Sequence, residues 1–407
     1  MRIHLLFISF LIFTFSLQAQ NYTSYENSIK KNFFSKTLKD SVHIELTIPK
    51  ELKTQTNTSY PVIYLLDKQL INNYIYNLHT IDYLSSLDAM PKAIVVGITF
   101  NQKNRNSWTL PNASGGQADD MISFITDELN LELKNNYPIS KFNLLIGHSR
   151  TAIFASYALS KRFDFFNGVI ANSVSNFDFG DSLQKKQFKI FINAIDTNTN
   201  KYFYYFSVGE KAYGDLHESA VDKLNLFLKS KKTPKTLEWK YYKFKAAHQL
   251  TPGLTIANSL NEIFKEYGRR IEQCFKIAHN STYKIPWDEY LKLYKSISTY
   301  LGYTIHPSYY FYNSIASDYY YDYKNYYGKN NLLFALEILL KAIKIYPNNY
   351  EYSIWIADIY IALKDYKKGD FYLNLSIKLL NEDKNLSKID KKQLFTEIKG
   401  LREKIKD

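Results

Sequence analysis

The 407-residue sequence predicts an α/β layer fold followed by an all-helical region. Strand-like runs such as PVIYLLD, KAIVVGITF and FNLLIG alternate with helix-length segments up to about residue 280. Continuous runs rich in Val and Ile fit strands covered on both faces, as in a central, mostly parallel sheet. Beyond residue 280 these runs stop, and helical patterns dominate to the end of the chain.

The first twenty residues have the composition of a secretory signal. They contain one arginine, an apolar run of 13 residues from Leu5 to Leu17, and a small residue, Ala19, where a signal peptidase could cut. A helix needs about 20 apolar residues to span a bilayer, so the run is short for an anchor. We interpret residues 1–19 as a signal peptide. We therefore expect an exported protein, periplasmic or secreted, with no membrane span after cleavage.

The charge pattern argues against a nucleic-acid partner. The formal net charge is +13, but the lysines are spread among asparagines and tyrosines along the chain. A nucleic-acid-binding protein is expected to carry a dense basic stripe within a recognisable module, and neither occurs here. With Cys274 as its single cysteine, the chain cannot form an internal disulfide.

The elements of the α/β region can be assigned in order. Residues 37–49 alternate apolar and polar side chains, which predicts a half-buried strand. Residues 61–67 and 92–100 predict central strands, and ADDMISFITDELNLELKNNY predicts a long helix. FNLLIG is a further buried strand and TAIFASYALSKRF a helix, and three more strands follow in FNGVIANS, KYFYYFSVG and LEWKYYKF.

The C-terminal part contains two segments that repeat at a spacing of 34 residues. The equivalent positions are Tyr326 and Tyr360, Ala335 and Gly369, and Ala342 and Ser376. A 34-residue helix–turn–helix period with small residues where helices touch is typical of tetratricopeptide repeats. We predict an α/β domain over residues 20–280 and a helical, tetratricopeptide-like domain over 281–407 that could contact a protein partner.

A chemical motif lies at the junction of a buried strand and a helix, in GHSRT. Ser149 stands two residues after Gly147, and a tight turn there would expose its hydroxyl above the sheet. With PVIYLLDKQ and IVVGITFNQKNRNSWTLP, this motif resembles the α/β-hydrolases of the esterase D-like group, which includes siderophore esterases and S-formylglutathione hydrolases. The resemblance covers about residues 30–270. It implies the three-layer α/β-hydrolase fold and a serine esterase.

The same resemblance assigns roles to the candidate site residues. Ser149 would be the nucleophile, and the backbone N–H of Arg150 would face the oxyanion at the start of a helix. Lys68 and Gln69 follow the strand whose end completes the oxyanion hole in this family. His248, on a loop after the last strand, has the position of the general base in this fold.

The acid that orients the histidine is less well defined. The family usually carries it three residues after the glycine of YFYYFSVG, where this chain has Ala212. The segment GEKAYGDLHE offers Glu210, Asp215 and Glu218 instead. We favour Asp215, because a Gly-Asp turn can present a short carboxylate to the histidine. A serine–histidine dyad without a carboxylate stays open.

The favoured function is an exported serine hydrolase that cleaves carboxylic esters of small molecules. Thr151 replaces a glycine of the family motif, and Ala212 replaces the usual acid. These departures motivate an alternative, in which a catalytically weakened hydrolase fold serves as a binding module with the helical repeats as its working surface. No set of Cys or His has metal-ligand spacing and no nucleotide-binding motif occurs, so we expect no metal and no cofactor. The choice among ester substrates stays open.

Overall fold

A single eight-stranded sheet forms the centre of the α/β region. The computed structural model describes residues 28–53, 58–174, 183–198, 200–230, 233–280, 287–322, 329–383 and 386–405. The strands are β1 (Ile29–Ser35), β2 (Asp40–Thr47), β3 (Tyr60–Leu66), β4 (Ile94–Thr99), β5 (Ile139–His148), β6 (Gly168–Asn172), β7 (Tyr202–Gly209) and β8 (Leu237–Phe244). Their spatial order is β1-β2-β4-β3-β5-β6-β7-β8.

The sheet is mostly parallel, as the sequence predicted. β1 pairs antiparallel with β2, and β2 pairs antiparallel with β4. All pairings from β4 to β8 are parallel. The carboxyl ends of β3, β5, β6, β7 and β8 therefore meet at one edge of the sheet, where ligands bind in open α/β folds.

Nine helices of the described chain accompany the sheet. They are α1 (Ile71–Ser86), α2 (Gln102–Ser107), α3 (Ala118–Ser123), α4 (Asn130–Asn136), α5 (Arg150–Lys161), α6 (Leu183–Ala194), α7 (Glu218–Ser230), α8 (Thr251–Ile263) and α9 (Lys265–Asn280). A π-helical turn, Phe124–Leu129, joins α3 to α4, so the predicted long helix is continuous but widened at its middle.

The edge strand β1 was not predicted from the sequence. Its segment, IKKNFFS, has two adjacent lysines and no sustained alternation, and most of its side chains are exposed or half-buried. Pairing with β2 along its whole length holds it in place, and Lys31 forms an ion pair with Glu132 of α4. Tertiary pairing thus defines this strand, because its own pattern is too polar to do so.

The C-terminal region is helical, as expected. Its helices are α10 (Trp287–Leu301), α11 (Tyr309–Asp322), α12 (Lys329–Ile345), α13 (Tyr350–Ala362), α14 (Tyr366–Glu382) and α15 (Lys388–Glu403). α11 packs against α12, and α13 packs against α14. The small residues of the 34-residue spacing are buried in α12 and α14, namely Ala335, Ala342, Gly369 and Ser376. The assignment as tetratricopeptide repeats stays a prediction, and Tyr326 lies outside the described residues.

The helical region shares a hydrophobic core with the sheet. One cluster of buried side chains extends from one face of the central strands into α10, α11, α12 and α13. The rings of Phe142 and Tyr303 lie 6.0 Å apart, and those of Phe203 and Tyr300 lie 5.9 Å apart. The Tyr300 hydroxyl donates to Glu238 of β8 at 3.0 Å. The predicted boundary at residue 280 therefore does not separate two independent cores.

No helix in the described part of the chain combines the length and hydrophobicity needed to cross a membrane. The proposed signal segment, residues 1–19, lies outside that part.

Candidate active site

Ser149 occupies a strained turn between β5 and α5. Its backbone has φ 57° and ψ −118°, a combination that a residue other than glycine rarely adopts. The Ser149 N–H donates to the Asn172 carbonyl at 2.9 Å, which ties the turn to the end of β6. A Cβ atom on Gly147 would lie 2.4 Å from the Thr151 carbonyl oxygen, so strand and helix can cross this closely only with glycine there. The turn leaves Ser149 half-buried at the carboxyl edge of the sheet.

The buried carboxylate of Asp67 is hydrogen-bonded to a residue of this turn. Asp67, directly after β3, is 3% exposed and has φ 61°. The Thr151 hydroxyl donates to Asp67 Oδ2 at 2.7 Å and accepts a hydrogen bond from the His148 N–H at 2.9 Å. Thr151 thus bridges β3 and the end of β5. The departure from the family glycine therefore adds a contact to the turn.

Arg105 completes this support as a permanent cation. Its Nε and one terminal nitrogen donate to the two oxygens of Asp67, each at 2.7 Å. Hydrogen bonding to Asp67 raises the pKa of the Arg105 guanidinium. The Gln69 side chain also donates to Asp67 Oδ1, at 2.7 Å, and accepts from the Phe100 N–H at 2.9 Å. A bidentate Arg–carboxylate pair of this kind fixes geometry as well as charge.

His248 and Asp215 lie together at the same edge of the sheet. His248 begins a short 3-10 helix, His248–Leu250, between β8 and α8. Its Nδ1 lies 3.3 Å from Asp215 Oδ1. Asp215 is fully buried, whereas the His248 side chain keeps 18% of its surface exposed. The structure thus brings the predicted base and the favoured acid together.

Four groups converge on the Asp215 carboxylate. Besides His248, the backbone N–H groups of Gly209 and His217 donate to it at 2.9 and 3.1 Å. The Ser173 hydroxyl donates to Asp215 Oδ2 in a short hydrogen bond. Burial alone would raise the pKa of Asp215, but these hydrogen bonds outweigh burial and hold it well below the ordinary value. The carboxylate is therefore ionised at neutral pH.

The other two candidate acids lie elsewhere. Glu218 accepts from the Lys211 N–H in a short hydrogen bond and pairs with Lys243 at 2.6 Å. Among the described residues, no hydrogen bond or ion pair joins the Glu210 carboxylate to His248. Ala212 lies exposed in a 3-10 turn, Lys211–Tyr213. The loop thus presents Asp215 to the histidine from a position three residues later than the family pattern.

Ser173 is a site residue that the sequence analysis missed. It follows β6, is fully buried and has φ 47°. In addition to donating to Asp215, its Oγ lies 2.8 Å from His248 Nδ1. Ser173 therefore contacts both members of the acid–histidine pair. Its place directly after a buried strand is the sequence signal that could have suggested it, because every catalytic candidate here also lies near a strand end.

Two further histidine rings surround His248. The His148 ring lies 4.7 Å and the His217 ring 5.0 Å from the His248 ring, measured between centroids. Burial, reinforced by the neighbouring His248, lowers the pKa of His148 to about 4. The same two causes lower the pKa of His217. Both rings are therefore predominantly neutral at pH 7, so they do not place a positive charge against the site.

The three candidate oxyanion donors differ in availability. Arg150 is the first residue of α5, where backbone N–H groups have no partner within the helix. The Lys68 N–H instead donates to the Ile98 carbonyl at 2.9 Å, so the expectation for Lys68 needs correction: this donor is already used in the sheet. Within the described part of the chain, no hydrogen bond uses the Gln69 N–H. Gln69 is therefore the available donor of the 68–69 pair.

Ser149 and His248 are close in the fold without being directly bonded. Ser149 follows His148, whose Nε2 lies 3.1 Å from the His248 carbonyl oxygen. No hydrogen bond joins Ser149 Oγ to the His248 ring among the described residues. Catalytic hydrogen bonds are often long in the absence of substrate and tighten when it binds.

Comparison with known proteins decides the family. A family model described as "Putative esterase" matches residues 35–242, just over half of the chain. The chain belongs to this esterase family. The match covers β2 through most of β8 and includes Ser149 and Asp215, while His248 lies six residues beyond it. No curated protein matches this esterase in sequence.

Solved structures share the esterase's fold. An IroE-like serine hydrolase from Shewanella oneidensis is 18% identical, with a TM-score of 0.56, covering 75% of this chain and 96% of that chain. An uncharacterised protein from Capnocytophaga ochracea DSM 7271 is 19% identical, with a TM-score of 0.54, covering 93% of this chain and 100% of that chain. The BES protein from Bacillus cereus is 18% identical, with a TM-score of 0.51, covering 58% and 95%. These similarities confirm an α/β-hydrolase fold, and the Capnocytophaga similarity extends into the helical region.

Proposed function

We propose that this esterase-family protein is an exported serine hydrolase that cleaves carboxylic esters with Ser149, His248 and Asp215. The observation that carries the proposal is the buried, ionised Asp215 against His248 Nδ1, at the strand edge where Ser149 stands at positive φ. A nucleophile, a base and an orienting acid are the three parts that acyl transfer by a serine requires.

The hydrogen bonds around His248 support one arrangement of protons. Nδ1 faces a carboxylate and the Ser173 hydroxyl, and that hydroxyl donates to the same carboxylate. The neutral ring therefore carries its proton on Nδ1 and keeps a lone pair on Nε2. Nε2 takes the proton of Ser149 as Oγ attacks the ester carbonyl. The same nitrogen then gives this proton to the leaving alcohol, which leaves the acyl group on Ser149. In the second half of the reaction, Nε2 takes a proton from water as the water attacks the acyl group, and returns it to Ser149 Oγ as the carboxylic acid leaves.

Two backbone groups are suited to stabilise the oxyanion. The Arg150 N–H lies at the positive end of α5, and the Gln69 N–H follows β3 across the site. The Gln69 side chain is held by Asp67 and the Phe100 N–H, which restrains the backbone of this loop. Donors that are fixed before the reaction need no reorganisation when charge develops.

The decisive experiment measures hydrolysis of p-nitrophenyl acetate and butyrate by the chain from residue 20 onwards. We expect turnover that falls by at least about 10³-fold in Ser149→Ala, because the nucleophile is lost. Ser160→Ala is the matched control, since it removes a serine hydroxyl from the other end of α5. Equal rates in the wild type and Ser149→Ala, with both proteins folded, would exclude Ser149 as nucleophile. Absence of turnover in every protein would favour the binding-module alternative.

Export is proposed from the N-terminal segment. An apolar run of 13 residues followed by Ala19 fits a cleaved signal. Mass spectrometry of the protein recovered from the cell envelope or medium should give an N-terminus at residue 20. Recovery of the protein with residues 1–19 attached, from the cytoplasm, would contradict this proposal.

A further inference from the structure

His217 is a histidine beside the candidate site whose ring the proposed mechanism does not use. His217 lies two residues after Asp215, and its ring faces that of His248 at 5.0 Å. Each of Asp215, His217 and His248 can offer one ligand atom, and these atoms all lie within 4.8 Å of one another. The three side chains come from two loops that meet at the carboxyl edge of the sheet. The spacing along the sequence alone did not indicate a metal site.

One of the three distances between the ligand atoms fits a small tetrahedral cation. Bonds of about 2.0–2.2 Å place the ligand atoms of a zinc ion about 3.4 Å apart. Asp215 Oδ1 and His248 Nδ1 are 3.3 Å apart, which matches one edge of such a tetrahedron. The ligand atoms lie within 4.8 Å of one another, so His217 needs to approach by at most about 1.4 Å to complete the set. Its ring is half-buried. Water can occupy the fourth position.

We propose that Asp215, His217 and His248 form a zinc-binding site that inhibits the hydrolase. Two imidazoles and one carboxylate suit zinc, whereas Mg²⁺ and Ca²⁺ prefer sets of oxygen ligands. Zinc would take the lone pair of His248 Nδ1, so the proton of that nitrogen moves to Nε2. Nε2 then lacks the lone pair that accepts the Ser149 proton. The inhibition rests on the proposed function, but the binding of zinc does not.

The binding is tested first, by isothermal titration of ZnCl₂ into the chelator-treated protein. We expect one zinc ion per chain in the wild type and in Ser149→Ala, which keeps all three ligands. Affinity should fall at least about tenfold in His217→Gln and His217→Asn, because one ligand is lost. His79→Gln is the matched control, since His79 is exposed on α1, and MgCl₂ should give no binding. Melting curves verify that each variant is folded.

Zinc affinity that is equal in the wild type and both folded His217 variants would overturn the site. So would the absence of zinc binding to the wild type. The titration measures zinc binding without any ester hydrolysis. It therefore distinguishes failure of the zinc proposal from failure of the proposed hydrolase function.

The inhibition is tested on the p-nitrophenyl esters, with each protein compared with its own metal-free rate. We expect zinc to stop turnover by the wild type, and EDTA to restore it. The His217 variants should need at least about tenfold more zinc for the same inhibition. A zinc-dependent increase in rate, or identical inhibition of the wild type and the His217 variants, would overturn the inhibitory role.

Discussion

Two buried aspartates, Asp67 and Asp215, lie beyond strand ends on opposite sides of the candidate site, and each accepts four hydrogen bonds. Asp67 accepts from Gln69, from Thr151 and twice from Arg105. Asp215 accepts from two backbone N–H groups, from a hydroxyl and from an imidazole. The first carboxylate faces a permanent cation, and the second faces a ring that can gain and lose a proton. The partner, rather than the aspartate, therefore distinguishes a supporting ion pair from a candidate catalytic pair.

The largest expected effect tests the Asp215 side of this comparison. Asp215→Asn should lower kcat by about 10³- to 10⁴-fold, because the amide cannot stabilise the His248 imidazolium and favours the wrong tautomer. Steady-state kinetics on a p-nitrophenyl ester measure this loss. Glu218→Gln is the control, since Glu218 pairs with Lys243 instead of His248. Comparable losses in both variants would contradict the assignment of Asp215.

Substitution of Asp67 should lower the free energy of unfolding. Asp67→Asn leaves the Arg105 guanidinium without its counter-ion, and breaking a buried pair in this way costs about 3 kcal/mol of unfolding free energy. Urea denaturation followed by circular dichroism measures the change. Asp127→Asn removes an exposed partner of Arg162 and should cost less than about 0.5 kcal/mol. If Asp67→Asn proved as mild as Asp127→Asn, the comparison between the two aspartates would fail.

Ser173→Ala should have a smaller effect on the reaction. Loss of its hydroxyl removes one contact to Asp215 and one to His248, so the ring is less well positioned. We expect kcat to fall about tenfold, which is about 1.4 kcal/mol, with KM nearly unchanged. The pH profile of kcat/KM should shift as well, because the hydroxyl contacts the proposed general base. Ser160→Ala, which removes a buried hydroxyl at the other end of α5, should leave the profile in place. A profile unmoved in both variants would assign Ser173 a structural role alone.

The smallest effect concerns pH and stability. Because hydrogen bonds lower the pKa of Asp215 in the folded state, its contribution to stability is complete above the ordinary value of 3.8. That contribution is lost as pH falls below 3.8 towards the folded-state pKa. The difference in unfolding free energy between the wild type and Asp215→Asn should therefore shrink from pH 6 to pH 2.5. A difference that stayed constant over this range would show that the pKa of Asp215 is not lowered by folding.

The sequence predicted the elements whose patterns are local. Strands β3 to β7 were recognisable because buried runs of Val, Ile, Leu and aromatic residues mark them individually, and β2 was recognisable because apolar and polar side chains alternate along it. Ser149 was recognisable because its motif is contiguous. His248 and Asp215 could be placed by chain order, and the structure then brought them together. These predictions depended only on residues that are adjacent in the sequence or on the order of strands and loops along the chain.

Other parts depend on contacts between distant residues. Ser173 lies 42 residues before Asp215 and 75 before His248, so no local pattern joins them. Arg105, Thr151 and Asp67 all lie in the motifs quoted above, but those motifs did not indicate that Arg105 and Thr151 share Asp67 as a partner. Lys68 was assigned to the oxyanion hole by position, and pairing of its N–H with β4 removed that donor. Each difference arises where tertiary packing, rather than periodicity, determines the partner of a polar group.

The shared core of the sheet and the helical region has a consequence for how the molecule unfolds. The rings of Tyr300 and Tyr303 contact Phe203 and Phe142, so removal of the helical region would expose apolar side chains of the sheet-facing layer to water. Exposure of these apolar side chains to water is unfavourable, so unfolding of either region lowers the stability of the other. The two regions are therefore expected to melt in one cooperative transition, as a single thermodynamic unit with two architectures.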